Sequence, residues 1–199
     1  MKKTIFFIVV GALVLTLILL LVAAFFLLGP IHGEIFSNSV ELPPPDAGFV
    51  LISPDFTDGG PIPARYTCDG ENIPPTLAWG EPPAGTESYV LIVDDPDAPL
   101  GTWTHWIVYN IPAETRTVDA LIRPGVQIKD VAILFGENSW GNQEYSGPCP
   151  SAGTHHYNFQ LYALDILLGP KDKASRNELA TRMQGHILSY AELTGTYTK

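Results

Sequence analysis

The stretch His155-His-Tyr-Asn-Phe-Gln-Leu-Tyr-Ala-Leu164 alternates between two kinds of side chain. Every second position from Tyr157 to Ala163 is apolar or aromatic, whereas His156, Asn158 and Gln160 are polar. Successive side chains of a β-strand point to opposite faces, so this alternation predicts a strand with one buried face. It also predicts that His155 and His156 point to opposite faces, and only one of them can then line a given pocket.

Further apolar runs of strand length lie between turn residues along the chain, at residues 49–52, 89–93, 104–111 and 131–135. The connections between them contain Gly, Pro and Asp rather than helical patterns of ten or more residues. This organisation disfavours alternating β and α units and predicts antiparallel pairing within one mainly β domain.

One helix is predicted close to the C-terminus. Ser175 and Glu178 have the spacing of a capping box, in which each side chain bonds the backbone N–H of the other residue. An apolar stripe on one helical face follows, formed by Leu179, Met183, Ile187 and Tyr190. We therefore expect the helix to continue to about Tyr190.

Two polar runs far apart in the sequence carry chemically versatile side chains. The first is Asp95-Pro-Asp-Ala-Pro99 with His105 close behind it, and the second is Gly147-Pro-Cys-Pro150, which leads into His155. Proline fixes its own φ and keeps the preceding residue out of the helical region, so the carboxylates lie on a stiff loop. Strand pairing can bring carboxylates, imidazoles and the Tyr157 phenol into one pocket.

These runs resemble the phosphatidylethanolamine-binding protein family, and more closely its shorter bacterial and archaeal branch, often labelled Raf-kinase-inhibitor-like. Trp103-Thr-His-Trp106, Gly185-His-Ile-Leu188 and Ala191-Glu-Leu-Thr-Gly-Thr-Tyr197 carry the same resemblance, which extends from about residue 49 to residue 197. It implies two antiparallel sheets in a Greek-key arrangement with peripheral helices. It also implies an anion pocket, formed by Asp95, Asp97, His105, His155 and Tyr157.

One position departs from the family pattern, because His156 stands where the family has an arginine. The family position favours His155 as the member of the pocket, and we expect His156 at the surface or bonded to a backbone carbonyl.

The donors of such a pocket suit the oxygens of a phosphate or a carboxylate. Imidazoles and a phenol donate hydrogen bonds, and neighbouring carboxylates raise histidine pKa values and orient the rings. Asp95 and Asp97 can also accept from an ammonium group or from a protonated phosphate. A small anionic or zwitterionic ligand, such as a phospholipid headgroup, therefore fits this set of side chains.

Two other functions are weighed against simple ligand binding. Family members are known as inhibitors of kinases and proteases, so a protease inhibitor or other protein-binding module acting through a surface loop is the main alternative. A hydrolase is a lesser one, because no Gly-x-Ser-x-Gly elbow occurs and only Cys149 beside His155 is a conceivable nucleophile. Neither His-Glu-x-x-His nor Cys-x-x-Cys occurs, so we predict no metal site. We also predict no cofactor and, because the sequence offers no clear activated nucleophile, no catalysis.

The N-terminus predicts a membrane anchor. Residues 4–28 carry no charge, and a helix of this length, at about 1.5 Å per residue, exceeds the roughly 30 Å hydrocarbon core. Lys2 and Lys3 precede the run, which keeps the N-terminus cytoplasmic and the domain outside the membrane. We predict a signal anchor at 1–28, a proline-rich tether at 29–48 and the domain at 49–199. A cleaved secretory signal is the alternative.

The charge of the external part excludes one class of partner. All 21 acidic residues follow the anchor, with nine of the 11 basic ones, which gives a formal charge of −12. Such a domain is not drawn to nucleic acid.

Cys68 and Cys149 are the only cysteines, and an external compartment permits a disulfide between them. Two buried free thiols are the alternative.

Overall fold

The computed structural model describes residues 48–128 and 131–199. Within these ranges the chain forms ten strands, one α-helix and one turn of 3-10 helix (Ala64–Tyr66). The elements in chain order are β1 (Leu51–Ile52), β2 (Leu77–Trp79), β3 (Ser88–Asp95), β4 (Trp103–Pro112), β5 (Thr117–Val118), β6 (Gln127–Ile128), β7 (Val131–Ala132), β8 (Leu134–Phe135), β9 (Thr154–Leu164), α1 (Arg176–Met183) and β10 (Ile187–Thr198).

The strands pair antiparallel in one large sheet and two small ones. The large sheet has the strand order β10-β9-β3-β4-β8, a three-stranded sheet has the order β1-β2-β5, and β6 pairs with β7. Strand β9, which contains the alternating stretch, pairs with β10 along its whole length and with β3 on its other side. The predicted mainly β class with antiparallel pairing is confirmed.

The large sheet is covered on both faces. On one face, Leu91 and Phe159 pack with Leu77 and Trp79 of the three-stranded sheet. On the other face, strand residues such as Val90, Ile92 and Ile107 pack against Leu179 and Met183 of α1. Because apolar side chains leave water on both sides, every residue of β3 is buried, including its last two, which are aspartates.

Strand β4 contains a bulge at Asn110. Tyr89 and Val90 are consecutive in β3, but their partners in β4 are Ile111 and Tyr109, so Asn110 is an extra residue. Its φ is +58°, a left-handed conformation that asparagine tolerates better than most residues. The side chain donates to the Leu168 carbonyl at 2.7 Å and accepts from the Leu168 N–H at 2.9 Å, which satisfies the buried amide.

The predicted helix is correct at its start and wrong at its end. The capping box between Ser175 and Glu178 is present. However, α1 ends at Met183, Gly185 takes a φ of +77°, and Ile187 and Tyr190 belong to β10. Pairing this segment with the whole of β9 satisfies a ladder of backbone groups, which outweighs the apolar spacing that suggested one continuous helix.

Two predictions about strands are also corrected. The run 131–135 is not one strand, because β7 and β8 belong to different sheets. Strand β10, the partner of β9, is an element beyond the predicted ones, and it includes Ile187 and Tyr190 of the predicted helical stripe. The strands around 89–93, 104–111 and 157–164 are present and extend slightly further than predicted.

The predicted anchor at 1–28 lies outside the described residues, as does the tether at 29–48 except for Gly48. Across 48–128 and 131–199, no helix is both long enough and apolar enough to cross a bilayer.

The packing of α1 gives a testable result. Replacing Leu179, which is fully buried, by alanine leaves a cavity under the helix, and we expect a loss of about 2–5 kcal/mol in the free energy of unfolding. Urea unfolding of the full chain measures it. Leu167→Ala, at a side chain that is 53% exposed, is the control and should change stability by about 0.5 kcal/mol or less. Equal effects of the two substitutions would contradict the packing described.

Candidate functional site

A second bulge in β4 places His105. Val93 and Asp94 are consecutive in β3, but they pair with Trp106 and Thr104, so His105 is the extra residue. A bulge changes the face to which the strand directs its side chains. His105 therefore points to the same side as Tyr157, and their rings meet edge to face with centroids 5.2 Å apart.

Asp95 and His155 form a buried pair between the end of β3 and the start of β9. The Asp95 Oδ2 atom lies 2.8 Å from His155 Nδ1, and the residues are 4% and 9% exposed. A carboxylate only accepts, so Nδ1 carries the hydrogen and Nε2 is left for a ligand. The other Asp95 oxygen accepts from the backbone N–H of Asp97 at 2.9 Å, which closes the turn at the start of the proline-containing loop.

His105 is held in one tautomer by the backbone of Ser146. Its Nδ1 lies 2.5 Å from the Ser146 carbonyl oxygen, an atom that only accepts, so Nδ1 carries the hydrogen. The Ser146 N–H donates in return to the His105 carbonyl at 3.2 Å. Burial lowers the pKa of His105 more than the hydrogen bond to Ser146 and the nearby Asp95 charge raise it. The nearby carboxylates thus raise the His105 pKa as expected, but burial outweighs them and the net pKa shift is downward.

A polar turn after β8 presents Trp140 to the site. Asn138 is buried, and its amide group donates to the Asn142 side chain at 2.8 Å and to the Glu144 carbonyl at 2.9 Å. Its side-chain oxygen accepts from the Trp140 N–H at 3.0 Å. One buried amide thus organises the turn.

The Trp140 ring contacts two residues of β4. Its centroid lies 4.9 Å from that of His105 and 5.4 Å from that of Trp103, both edge to face. Ser139 links the same turn to the bulge, because its N–H donates to the Thr104 carbonyl at 2.9 Å and its hydroxyl accepts from the Thr104 N–H at 2.8 Å.

These groups surround an open cavity of about 300 Å³. Asp95, His105, Ser151 and His155 are its polar lining. The rest of the wall is apolar or aromatic apart from the sulfur of Cys149, and is contributed by Ala98, Pro99, Leu100, Trp103, Trp140 and Pro150. The cavity therefore offers a few convergent polar atoms within an otherwise apolar surface, which is the usual composition of a small-molecule site.

Of the five predicted site residues, three line the cavity and two do not. Asp95, His105 and His155 are brought together as expected. Tyr157 lies behind the wall, fully buried, and its hydroxyl finds no hydrogen-bond partner of good geometry among the described residues. Burial, followed by the nearby Asp95 charge, raises the Tyr157 pKa, so the phenol stays protonated.

Asp97 turns away from the cavity and binds His156. Its Oδ2 atom accepts from the His156 backbone N–H at 2.8 Å and from His156 Nδ1 at 2.7 Å. These bonds lower the Asp97 pKa. His156 is exposed and His155 is buried, so the two imidazoles lie on opposite faces as the alternation predicts. The histidine that replaces the family arginine thus attaches the proline-containing loop to β9.

Cys68 and Cys149 form a disulfide with Cα atoms 5.4 Å apart. Of the two open alternatives, the bridge is the one present. It pins one wall of the cavity and removes Cys149 as a free nucleophile. In the chain-entropy relation, a loop of this length contributes about 4.5 kcal/mol to stability.

Sequence reasoning missed several cavity residues, among them Trp140, Ser151 and Leu100. For Trp140 the sequence contains one usable signal, since a large aromatic side chain inside the polar turn Asn138-Ser-Trp-Gly-Asn142 needs a contact that the turn itself cannot supply. The sequence contains no such signal for Ser151 or Leu100. In the described part of the chain, no group of three or more His, Cys, Asp or Glu side chains is placed to hold a metal ion.

Comparison with known proteins agrees with this geometry. The phosphatidylethanolamine-binding protein family profile matches residues 52–198. This chain belongs to that family. The resemblance noted in the sequence is therefore confirmed. A UPF0098 protein of Methanothermobacter thermautotrophicus is 44% identical over 144 residues, covering 72% of this chain and 95% of the relative. One from Pyrococcus horikoshii is 45% identical over 150 residues, covering 74% and 76%.

Two solved structures of phosphatidylethanolamine-binding proteins share the fold. A putative homologue from Chlamydia trachomatis has a TM-score of 0.69 and 38% identity, covering 77% of this chain and 99% of the other. YbcL of E. coli, described as a new member of the mammalian family, has a TM-score of 0.70 and 30% identity, again covering 77% and 99%.

The lowered pKa of His105 predicts how stability depends on pH. The unfolded chain takes up a proton at His105 below about pH 6.5, whereas the folded chain does not until lower pH. The stabilisation that His105 contributes is therefore fully present above pH 6.5, and it is lost as the pH falls from 6.5 toward the His105 pKa of the folded chain. The extra slope is at most about 1.4 kcal/mol per pH unit.

Urea unfolding of the full chain between pH 5 and pH 7.5, compared with His105→Gln, measures this slope. The variant should lose less stability across the window, whatever its stability at pH 7.5. His186→Gln, at a partly exposed histidine bonded to Asp165, is the control and should follow the natural chain. Asp97 does not interfere, since its lowered pKa matters only below about pH 3.8. Identical slopes for His105→Gln and the natural chain would contradict a neutral buried imidazole.

Proposed function

We propose that this phosphatidylethanolamine-binding protein binds a small phosphorylated amphiphile in the cavity without turning it over. The observation that carries the proposal is that the Asp95–His155 pair and the His105 ring line one cavity, whose other walls are mainly apolar. The His105 ring is held there by the bond between its Nδ1 atom and the Ser146 carbonyl. Ligand binding by the fold is what the family name describes, and the phosphate class follows from the hydrogen-bonding state of the two rings.

The two imidazoles offer different atoms to a ligand. His105 is neutral with its hydrogen on Nδ1, so its Nε2 is an acceptor. His155 also holds its Nδ1 hydrogen toward Asp95, so its Nε2 is the atom left for a ligand, and in the imidazolium form that a bound anion favours, this atom donates a charge-assisted hydrogen bond beside a compensating carboxylate. A phosphate monoester that keeps one proton supplies both a P–OH for His105 and a P–O⁻ for His155. Sulfate carries no proton near neutral pH and satisfies only one of them.

The apolar wall favours a ligand with an apolar group next to its phosphate. Trp103 and Trp140 form an edge-to-face pair, and Leu100 extends the same surface while remaining 90% exposed. A volume of about 300 Å³ holds a headgroup and a short apolar part rather than two acyl chains. The net negative charge of the domain does not attract anions, so these local contacts must supply the affinity.

Calorimetric titration of the full chain tests the proposal, using phenyl phosphate, inorganic phosphate, phosphoethanolamine and sulfate at pH 6.5. We expect saturable binding of the phosphates, strongest for phenyl phosphate because its ring contacts the apolar wall, and binding of sulfate that is about tenfold weaker or undetectable. His155→Gln and Asp95→Asn should weaken phosphate binding by about tenfold or more, since each removes part of a charge-assisted hydrogen bond.

His186→Gln is the matched control, because this partly exposed histidine bonds Asp165 and lies outside the cavity. It should bind phenyl phosphate as the natural chain does. Absence of saturable binding, or equal weakening by His186→Gln and His155→Gln, would overturn the proposal. The alternative of a protein-binding module would then gain weight, acting through the proline-containing loop that exposes Leu100.

We further propose that the protein is a single-pass membrane protein with its domain outside the cytoplasm. The uncharged run at 4–28, the preceding Lys2 and Lys3, and a disulfide between the only two cysteines all support this location. The tether at 29–48 would hold the domain away from the bilayer.

Membrane fractionation followed by protease treatment of intact cells or spheroplasts tests the topology. An anchored external domain stays in the membrane pellet after alkaline extraction and is digested without cell lysis. Release by alkaline extraction would indicate that no anchor is retained, and protection from protease until lysis would place the domain inside. Replacing Lys2 and Lys3 by Glu should reduce the externally digested fraction, because the positive charge that retains the N-terminus is lost.

A further inference from the structure

The disulfide is accessible from solvent. Both Cys68 and Cys149 are exposed, and Cys149 also lines the ligand cavity beside Pro150 and Ser151. Structural disulfides in secreted domains resist reduction, whereas exposed ones are the usual sites of thiol–disulfide exchange. An attacking thiolate therefore has a path to this bridge that requires no unfolding.

A positive charge lies beside both sulfur atoms. Lys199 Nζ is 3.8 Å from Cys68 Sγ and 3.9 Å from Cys149 Sγ. The same ammonium pairs with Asp69 at 3.2 Å, and the Lys199 backbone exchanges two hydrogen bonds with Gly153, each of 3.1 Å. These contacts hold the charge in place. A neighbouring ammonium stabilises a thiolate, so it favours the departure of either sulfur during exchange.

The segment that contains Cys149 is held by more than the disulfide. The Cys68 N–H donates to the Pro148 carbonyl at 3.1 Å, and the Gly147 N–H donates to Asn72 Oδ1 at 2.8 Å. Gly147 also packs so closely on the Tyr66 carbonyl that a Cβ there would clash with its oxygen. These bonds hold Pro148 on one side, and those with Lys199 hold Gly153 on the other, so breaking the S–S bond would act on residues 149–152 between them, which include the cavity-lining Cys149, Pro150 and Ser151.

From these observations we propose that the Cys68–Cys149 bridge is an exchange site for external dithiols and that its reduction loosens the ligand cavity. The first half stands on the exposure of the bridge and the Lys199 contact alone, and the second half rests on the proposed function of the cavity. The partner is defined by its chemistry, as a dithiol reductant able to reach an exposed bridge.

The exchange is balanced in two steps. A thiolate of the dithiol attacks one sulfur, forming a mixed disulfide while the other sulfur leaves as a thiolate beside Lys199. The second thiol of the reductant, as its thiolate, then attacks the mixed disulfide and releases the first protein sulfur. The protein disulfide gains two electrons and two protons and becomes two cysteine thiols, and the dithiol is oxidised to its own disulfide.

Dithiothreitol acting on the full chain under native conditions tests the first half, with alkylation and mass measurement to count the thiols released. We expect reduction with unchanged far-UV circular dichroism, and Lys199→Gln should slow it by about three- to tenfold. Lys173→Gln is the matched control, since that lysine pairs with Glu137 and contacts neither sulfur. A bridge that reacts only as the protein unfolds, or equal rates for the two variants, would overturn the exchange site.

Phenyl phosphate tests the second half. A saturating concentration should slow the reduction of the natural chain, because a ligand in the cavity covers Cys149. The Cys68→Ser/Cys149→Ser double variant, as a stand-in for the reduced form, should bind phenyl phosphate about three- to tenfold more weakly, since its wall must be ordered on binding. Equal binding by both forms, with no protection, would overturn the coupling. If phenyl phosphate binds neither form, the proposed ligand site fails, and the dithiothreitol rates still decide the exchange site.

Discussion

The hydrogen bond between Asp95 and His155 is the constraint on which the arrangement of the site depends. A carboxylate that is 4% exposed needs donors, because a buried charge without partners is costly. His155 supplies one donor from the start of β9, and the backbone of Asp97 supplies another from the loop that follows β3. The bond therefore fixes an imidazole and the course of the loop together, and the cavity lies where these two meet.

Asp94, the residue before Asp95, is a second buried carboxylate that needs hydrogen-bond donors, and it lies on the other face of the sheet. Asp94 is equally buried, and its carboxylate accepts from the Thr104 hydroxyl at 2.7 Å and from Arg176 Nε at 2.6 Å. Thr104 precedes the bulged His105, and Arg176 opens α1. Two adjacent aspartates thus connect the ligand side of the sheet to the helix side, through a strand whose alternation sends them in opposite directions.

Much of this site could be predicted from the sequence, because it depends on local rules. The alternation after His155 places the two histidines on opposite faces, the family position selects His155, and the prolines around Asp97 indicate a stiff loop. The tautomer and the lowered pKa of His105 could not be predicted, since they depend on a bulge and on the Ser146 carbonyl 41 positions away. The hydrogen bonds between Asp97 and His156 could not be predicted either, because they depend on which strands are neighbours. The end of α1 differs from the prediction because helix spacing puts Ile187 and Tyr190 on one apolar stripe, whereas in β10 they reach the same apolar cluster through a register shift between Ile187 and Ser189.

The bulge that directs His105 also means that the sheet does not need this residue. Removing the single codon for His105 would leave Trp106 opposite Val93 and Thr104 opposite Asp94 in an unbroken ladder. The histidine of the site is therefore an extra residue in β4, as Asn110 is at the other bulge of the same strand. A change of one residue in length at this point would add or remove the ligand-facing imidazole without shifting the pairing of β3 with β4, while the contacts of His105 with Ser146, Trp140 and Tyr157 would change with it.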